Sequence, residues 1–84
     1  MILIISLRLQ KGDWEFIFTL HAVFRAEERD IDGKTLEMVI QTGRFEKFGK
    51  NGMKIIKNTG ERKIVLVGRF VRPGLIKILT VESG

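Results

Sequence analysis

The chain is 84 residues long and 44% apolar, with one proline, one histidine and no cysteine. That length makes one domain, residues 1–84, with a modest core. Disulfides and thiolate-held zinc are excluded, and one histidine is too few for the usual transition-metal sets, so no metal or cofactor is expected. The net charge of +5 is uneven: residues 1–43 carry five basic and seven acidic groups, residues 44–84 ten and three.

The basic half suits a polyanion such as RNA or DNA, or an acidic protein segment. It equally suits a solvated sheet face whose lysines discourage aggregation. The opening MILIISLRLQ lacks the basic start and small-residue cleavage site of a signal peptide. No run approaches the roughly 20 apolar residues of a membrane span. A cytoplasmic location without a membrane partner is therefore expected.

In chain order, Ile2 to Leu9 alternates as a strand does, with Leu3, Ile5, Leu7 and Leu9 on one face. Lys11-Gly12-Asp13 is a turn signal. Trp14 to Phe18 fits either a short returning strand or the irregular lead-in to a helix. Thr19 is a candidate N-cap, with Phe18 and Val23 at staple spacing. Apolar residues at 20, 23, 24 and 31, with Ala26 beside them, predict a helix ending near Asp30. Asp32 caps a second helix, stapled by Ile31 and Leu36, which buries Leu36, Val39 and Ile40. Gly43 fits the left-handed position that closes such a helix.

The remainder reads as β. Phe45 to Phe48, Met53 to Lys57, Arg62 to Val71 and Leu75 to Glu82 are separated by the turn signals Gly49-Lys50-Asn51-Gly52, Asn58-Thr59-Gly60-Glu61 and Arg72-Pro73-Gly74. This predicts an antiparallel meander. Ile64-Val65-Leu66-Val67 is apolar on both faces and asks for cover on both. A second subunit is one way to supply it, which makes a homodimer an expectation.

Chemistry-bearing residues concentrate in LHAVFRAEER, residues 20 to 29. Residues four apart lie one turn apart on a helix, so His21, Arg25 and Arg29 form a row, with Glu28 beside it. Cleavage of RNA by its own 2′-hydroxyl needs a base, an acid and cations for the developing charge. Histidine titrates near neutral pH and arginine grips phosphate with a planar fork. The alternative is a solvated helix surface, with Arg25 and Arg29 paired to Glu28 or Asp32 and His21 idle. On the sheet, Lys63, Val65, Val67, Arg69 and Val71 point one way. Lys63 and Arg69 are candidate nucleic-acid contacts, and Arg69 has Glu82 or Glu46 as an alternative partner.

Thr19, His21, Ala22, Arg25, Glu28, Arg29 and Ile31, followed by Ile78-Leu79-Thr80-Val81, resemble a family of small prokaryotic domains with a His…Arg…Arg-Gly-Ile helix. That family is similar to the RelE/ParE-like toxin superfamily, including BrnT-type ribonuclease toxins. The likeness spans about residues 16 to 82. It implies an α+β domain: an N-terminal strand, a two-helix hairpin and an antiparallel meander of three to four strands, with the helices on one face of a twisted sheet. It also implies an RNA endonuclease of a toxin–antitoxin system, independent of metal, with RNA as substrate and a small acidic antitoxin as partner. His21, Arg25 and Arg29 match the helical motif as catalytic residues, whereas Lys63 and Arg69 match only a general habit of cationic strands. Two departures stand out. Asp30 occupies the usual glycine position, so the first helix is expected to end without a left-handed cap, and the chain has no tyrosine, a common residue of RelE-type sites. The other expectation is a non-catalytic homodimeric module that binds nucleic acid or an acidic peptide.

Overall fold

The computed structural model describes residues 3–9 and 12–84. Among these, six strands and two helices follow in the order β1 (Leu3–Leu9), β2 (Gly12–Phe18), α1 (Leu20–Glu28), α2 (Gly33–Thr42), β3 (Arg44–Phe48), β4 (Gly52–Asn58), β5 (Lys63–Arg72) and β6 (Leu75–Ser83). The strands form one sheet in the order β1-β2-β6-β5-β4-β3. Neighbours are antiparallel except β2 and β6, which run parallel. Ile2 and Lys11, expected in the first strand and the first turn, lie outside the described residues.

This corrects the expected RelE/ParE-like layout of one N-terminal strand, a helical hairpin and a three- to four-stranded meander. The chain is still α+β, but the sheet is six-stranded and mixed. The reason lies in GDWEFIF. Phe16 and Phe18 alternate inward and are buried, with Trp14 half-buried beside them. Two large aromatic faces at a period of two are best buried by a strand. β1 supplies one neighbour through a hairpin and β6 the other, so residues 12–18 do not serve as a helix lead-in.

The sheet is strongly curled. Phe16 of β2 and Phe45 of β3 meet edge to face, with ring centroids 6.5 Å apart. Three strands lie between them in the sheet, and four strand spacings on a flat sheet would be about 19 Å. The inner face carries the buried side chains of every strand but β3: Ile5, Phe16, Ile78, Leu66 and Ile55 mark it across the sheet. Ala22, Val23 and Ala26 of α1 and Leu36, Val39 and Ile40 of α2 join the same cluster. α2 touches β4 on one side and β1 on the other, across the hollow of the curl. The outer face keeps Val65 and Val67 half-buried and Leu75, opposite Glu15, buried, and its described charged residues are not buried. No helix of the described residues is long and apolar enough to cross a membrane.

The caps follow their local signals. The Thr19 hydroxyl accepts from the Ala22 amide at 3.1 Å and donates to the Leu79 carbonyl at 3.2 Å. Leu79 is the extra residue of a bulge in β6, where Val67 faces Thr80 and Gly68 already faces Ile78. The chain thus leaves the sheet for α1 where the neighbouring strand is locally irregular. Asp32 accepts from the Thr35 amide at 2.8 Å. Both staple pairs, Phe18–Val23 and Ile31–Leu36, are buried.

The two helix ends depart from expectation. Asp30 itself takes the left-handed conformation, with φ 54°. The Ile31 amide reaches the Ala26 carbonyl and the Asp30 amide that of Glu27, a Schellman closure made without glycine. The Arg62 guanidinium holds it by donating to the carbonyls of Arg29 and Asp30, at 2.6 and 3.1 Å. Gly43, by contrast, is extended at φ −77° and is not left-handed. It is needed for space: a Cβ there would lie 2.5 Å from the Val39 carbonyl oxygen and 2.8 Å from Ile55 Cγ2.

Gly43→Ala is therefore expected to destabilise the protein by about 1–3 kcal/mol, as overpacking does. Gly33→Ala, at the open start of α2 with nothing within 4 Å of the added carbon, should be neutral or stabilising by up to about 1 kcal/mol. Urea midpoints of the two variants check this; equal losses would contradict the close approach at Gly43.

Candidate functional site

α1 sits beside the far half of β6, and its orientation follows from which residues it buries. Its buried stripe is narrow, Ala22, Val23 and Ala26. Leu20 and Phe24, expected in that stripe, are 51% and 54% exposed. The small residues let the helix lie close to the strands, and that rotation turns the two larger apolar side chains outward.

The same rotation sets the row. His21 is exposed in the first turn, and no hydrogen bond to its ring is present among the described residues. Arg25 and Arg29 are half-buried and converge on one carboxylate, Glu82 of β6. Their terminal nitrogens lie 3.4 and 3.6 Å from its oxygens. Glu28 stands 3.7 and 3.9 Å from the same two guanidiniums. Asp32 takes no part, being spent on the α2 cap. The Arg25 Nε is buried without a hydrogen-bond partner. The Thr80 hydroxyl donates to Glu82 at 3.1 Å. That bond is the largest influence on the Glu82 carboxyl; burial, the next, opposes it, and the Arg25 hydrogen bond with the charges of Arg25 and Arg29 reinforces it, so the group is held below the ordinary glutamate range. Two arginines thus share two carboxylates, and the cluster carries no formal excess charge.

Glu82 and Thr80 lie on the outer face of the sheet, because Val65 faces Glu82 and Val67 faces Thr80. That face continues to a different kind of surface. Arg69 of β5 stands directly opposite Lys77 of β6, both exposed. Lys54 of β4 is two residue pairs along, facing Val67. Arg69 and Lys77 have no ion pair among the described residues, whereas Lys54 faces Glu46 of β3, which is itself bonded to Arg44; like charges opposite one another on a sheet, as at Arg69 and Lys77, are destabilising. Lys63 is exposed on the same face, at the start of β5, with its backbone bonded to Gly84. It is six residues along the strand from Arg69, roughly 20 Å. Arg69 pairs with neither of its expected partners: Glu46 is held by Arg44 at 2.9 Å and Glu82 by α1.

The structure therefore joins Arg25 and Arg29 to an acid the sequence does not single out, and separates Lys63 from Arg69. Lys54 and Lys77 enter the picture only here. A period-two reading of each strand puts them outward, but the register between strands is what sets them beside Arg69. Comparison with known protein families, curated proteins and solved structures returns no match.

Glu82 gives a pH test with a definite sign. A carboxyl lowered by folding adds stability above its unfolded pKa, and that stability is lost as pH falls through the folded value. Wild type should lose more stability than Glu82→Gln between about pH 5 and pH 3. Urea midpoints across that range are the measurement, and parallel curves would contradict the ion cluster.

Proposed function

We propose that the protein is RNA-directed and that its outer sheet face is the surface that meets the RNA. The observation that carries this is the Arg69–Lys77 pair, two cations set face to face with no acid between them. Folding gains nothing from that arrangement, whereas a phosphate placed between them is bound by both. Arg25 and Arg29, the other cations of interest, already have carboxylates. The reading is therefore of a binding module first, with Lys63 as an outlying contact on the same face.

Cleavage is the second reading, and one observation favours it. His21 is exposed and without a hydrogen-bond partner in the first turn of a helix whose next two turns present guanidiniums fixed by Glu82. Fixed guanidiniums lose little freedom on meeting a charged transition state. In that reaction the 2′-oxygen attacks the phosphorus, its proton passes to a base, and the departing 5′-oxygen receives a proton. His21 serves one of those two transfers. Such a protein fits the toxin-like resemblance, with an acidic antitoxin covering the cationic face and the chain alone or as a homodimer in its absence.

Cleavage of a mixed-sequence RNA in EDTA, by wild type and His21→Ala, separates the two. Binding without cleavage by either protein leaves the module. Loss of cleavage in the variant, with its melting curve unchanged, makes the α1 row the catalytic centre. Arg69→Ala and Lys77→Ala should each weaken binding and reduce the slope of log K against log salt by about 0.7–1. An unchanged slope in both would remove the sheet face from the interaction.

A further inference from the structure

Phe48 ends β3 on the outer face, opposite Gly52, which in turn faces Arg69, which faces Lys77. One transverse row therefore reads aromatic, glycine, arginine, lysine, spanning about 14 Å in three strand spacings. Phe48 is 46% exposed although it is among the larger apolar side chains of the protein. Its ring lies down over Gly52: a Cβ on that glycine would come within 2.6 Å of the ring. Part of the ring is thus laid against Gly52, and the rest of it is exposed to solvent. The Lys54 ammonium stands 5.5 Å from the ring centroid, on a flexible stem that can follow a phosphate. Nothing in the core needs this ring. Phe45, three residues earlier, points inward and makes the contact with Phe16.

We infer that the outer face is a binding platform for single-stranded RNA, on which one base stacks on Phe48 while Lys54, Arg69 and Lys77 take the flanking phosphates. The inference rests on the RNA-directed reading and adds the strandedness of the ligand and the residue that meets a base. An aromatic ring lying on an open sheet receives an unstacked base but cannot enter a duplex, where bases already stack on each other. The cations around it supply the attraction that does not depend on sequence. Gly52 is part of the device, because any side chain there would lift the ring from the sheet.

The test is fluorescence anisotropy with a labelled single-stranded RNA of about 12 nucleotides, beside the same sequence annealed to its complement. The proteins are wild type, Phe48→Ala, Phe48→Leu and Arg69→Ala, each with its melting temperature measured. The expected result is preference for the single strand and a loss of about 5- to 100-fold in both Phe48 variants. Their salt slopes should match wild type, and Arg69→Ala should lower the slope. Phe48→Leu keeps apolar bulk without a π face, so a loss in it separates stacking from packing. If RNA binds and Arg69→Ala weakens it while both Phe48 variants bind like wild type, the platform is overturned and the RNA-directed reading stands. Equal affinity for the duplex overturns it in the same way. If no RNA binds even at low salt, both fall together.

Discussion

The curl that brings Phe16 against Phe45 is the constraint on which the rest depends. A short chain cannot cover both faces of a six-stranded sheet with two helices of nine and ten residues. Bending the sheet until its two sides meet lets α2 and the narrow stripe of α1 bury the middle of one face, with Phe45 partly exposed at its edge. The cost is that the other face has no layer above it. Apart from Leu75 at the start of β6, the described residues there are half-buried by their strand neighbours at most, and packing does little to dictate their identities.

What stands on that free face is therefore informative. A solvated sheet surface with no partner does best with mixed charge, as Arg44 and Glu46 provide at one edge. Around Arg69 the pattern is different: two cations opposed, a third nearby, and an apolar ring left in water. Each of these is unfavourable for the free chain, and together they fit an anionic, partly planar ligand. At the far end of the same face, Glu82 draws in α1. The tie orients the helix and fixes the row beginning at His21, so the sheet surface and the helix row share one side of the molecule.

The parts of the fold governed by near neighbours are legible in the sequence. Thr19 and Asp32 act as caps, the two staples close, and β4, β5 and β6 run close to their expected bounds, because each depends on residues within a few positions. What depends on distant residues is not legible. The parallel pairing of β2 with β6 links positions about 60 apart, and it turns an ambiguous aromatic run into a strand. The rotation of α1 that exposes Leu20 and Phe24 follows from how closely Ala22 and Ala26 approach the strands. Gly43 reads as a left-handed cap but serves as a gap for Ile55. Asp30 reads as an obstacle to such a cap but adopts it, held by Arg62 from another element. The candidate site divides in the same way. His21, Arg25 and Arg29 form a row by helical spacing alone, but their counter-ion lies 57 residues from Arg25, and Phe48, Lys54 and Lys77 become one surface only through cross-strand register.

The most direct measurement is the map of amide shifts in isotopically labelled protein as a short single-stranded RNA is added. The account predicts shifts at Phe48, Gly52, Lys54, Arg69 and Lys77, extending toward Glu82, while Ile55 and Leu66 on the inner face stay silent. Shifts confined to α2 or to the free edge of β1, or none at all, would contradict it.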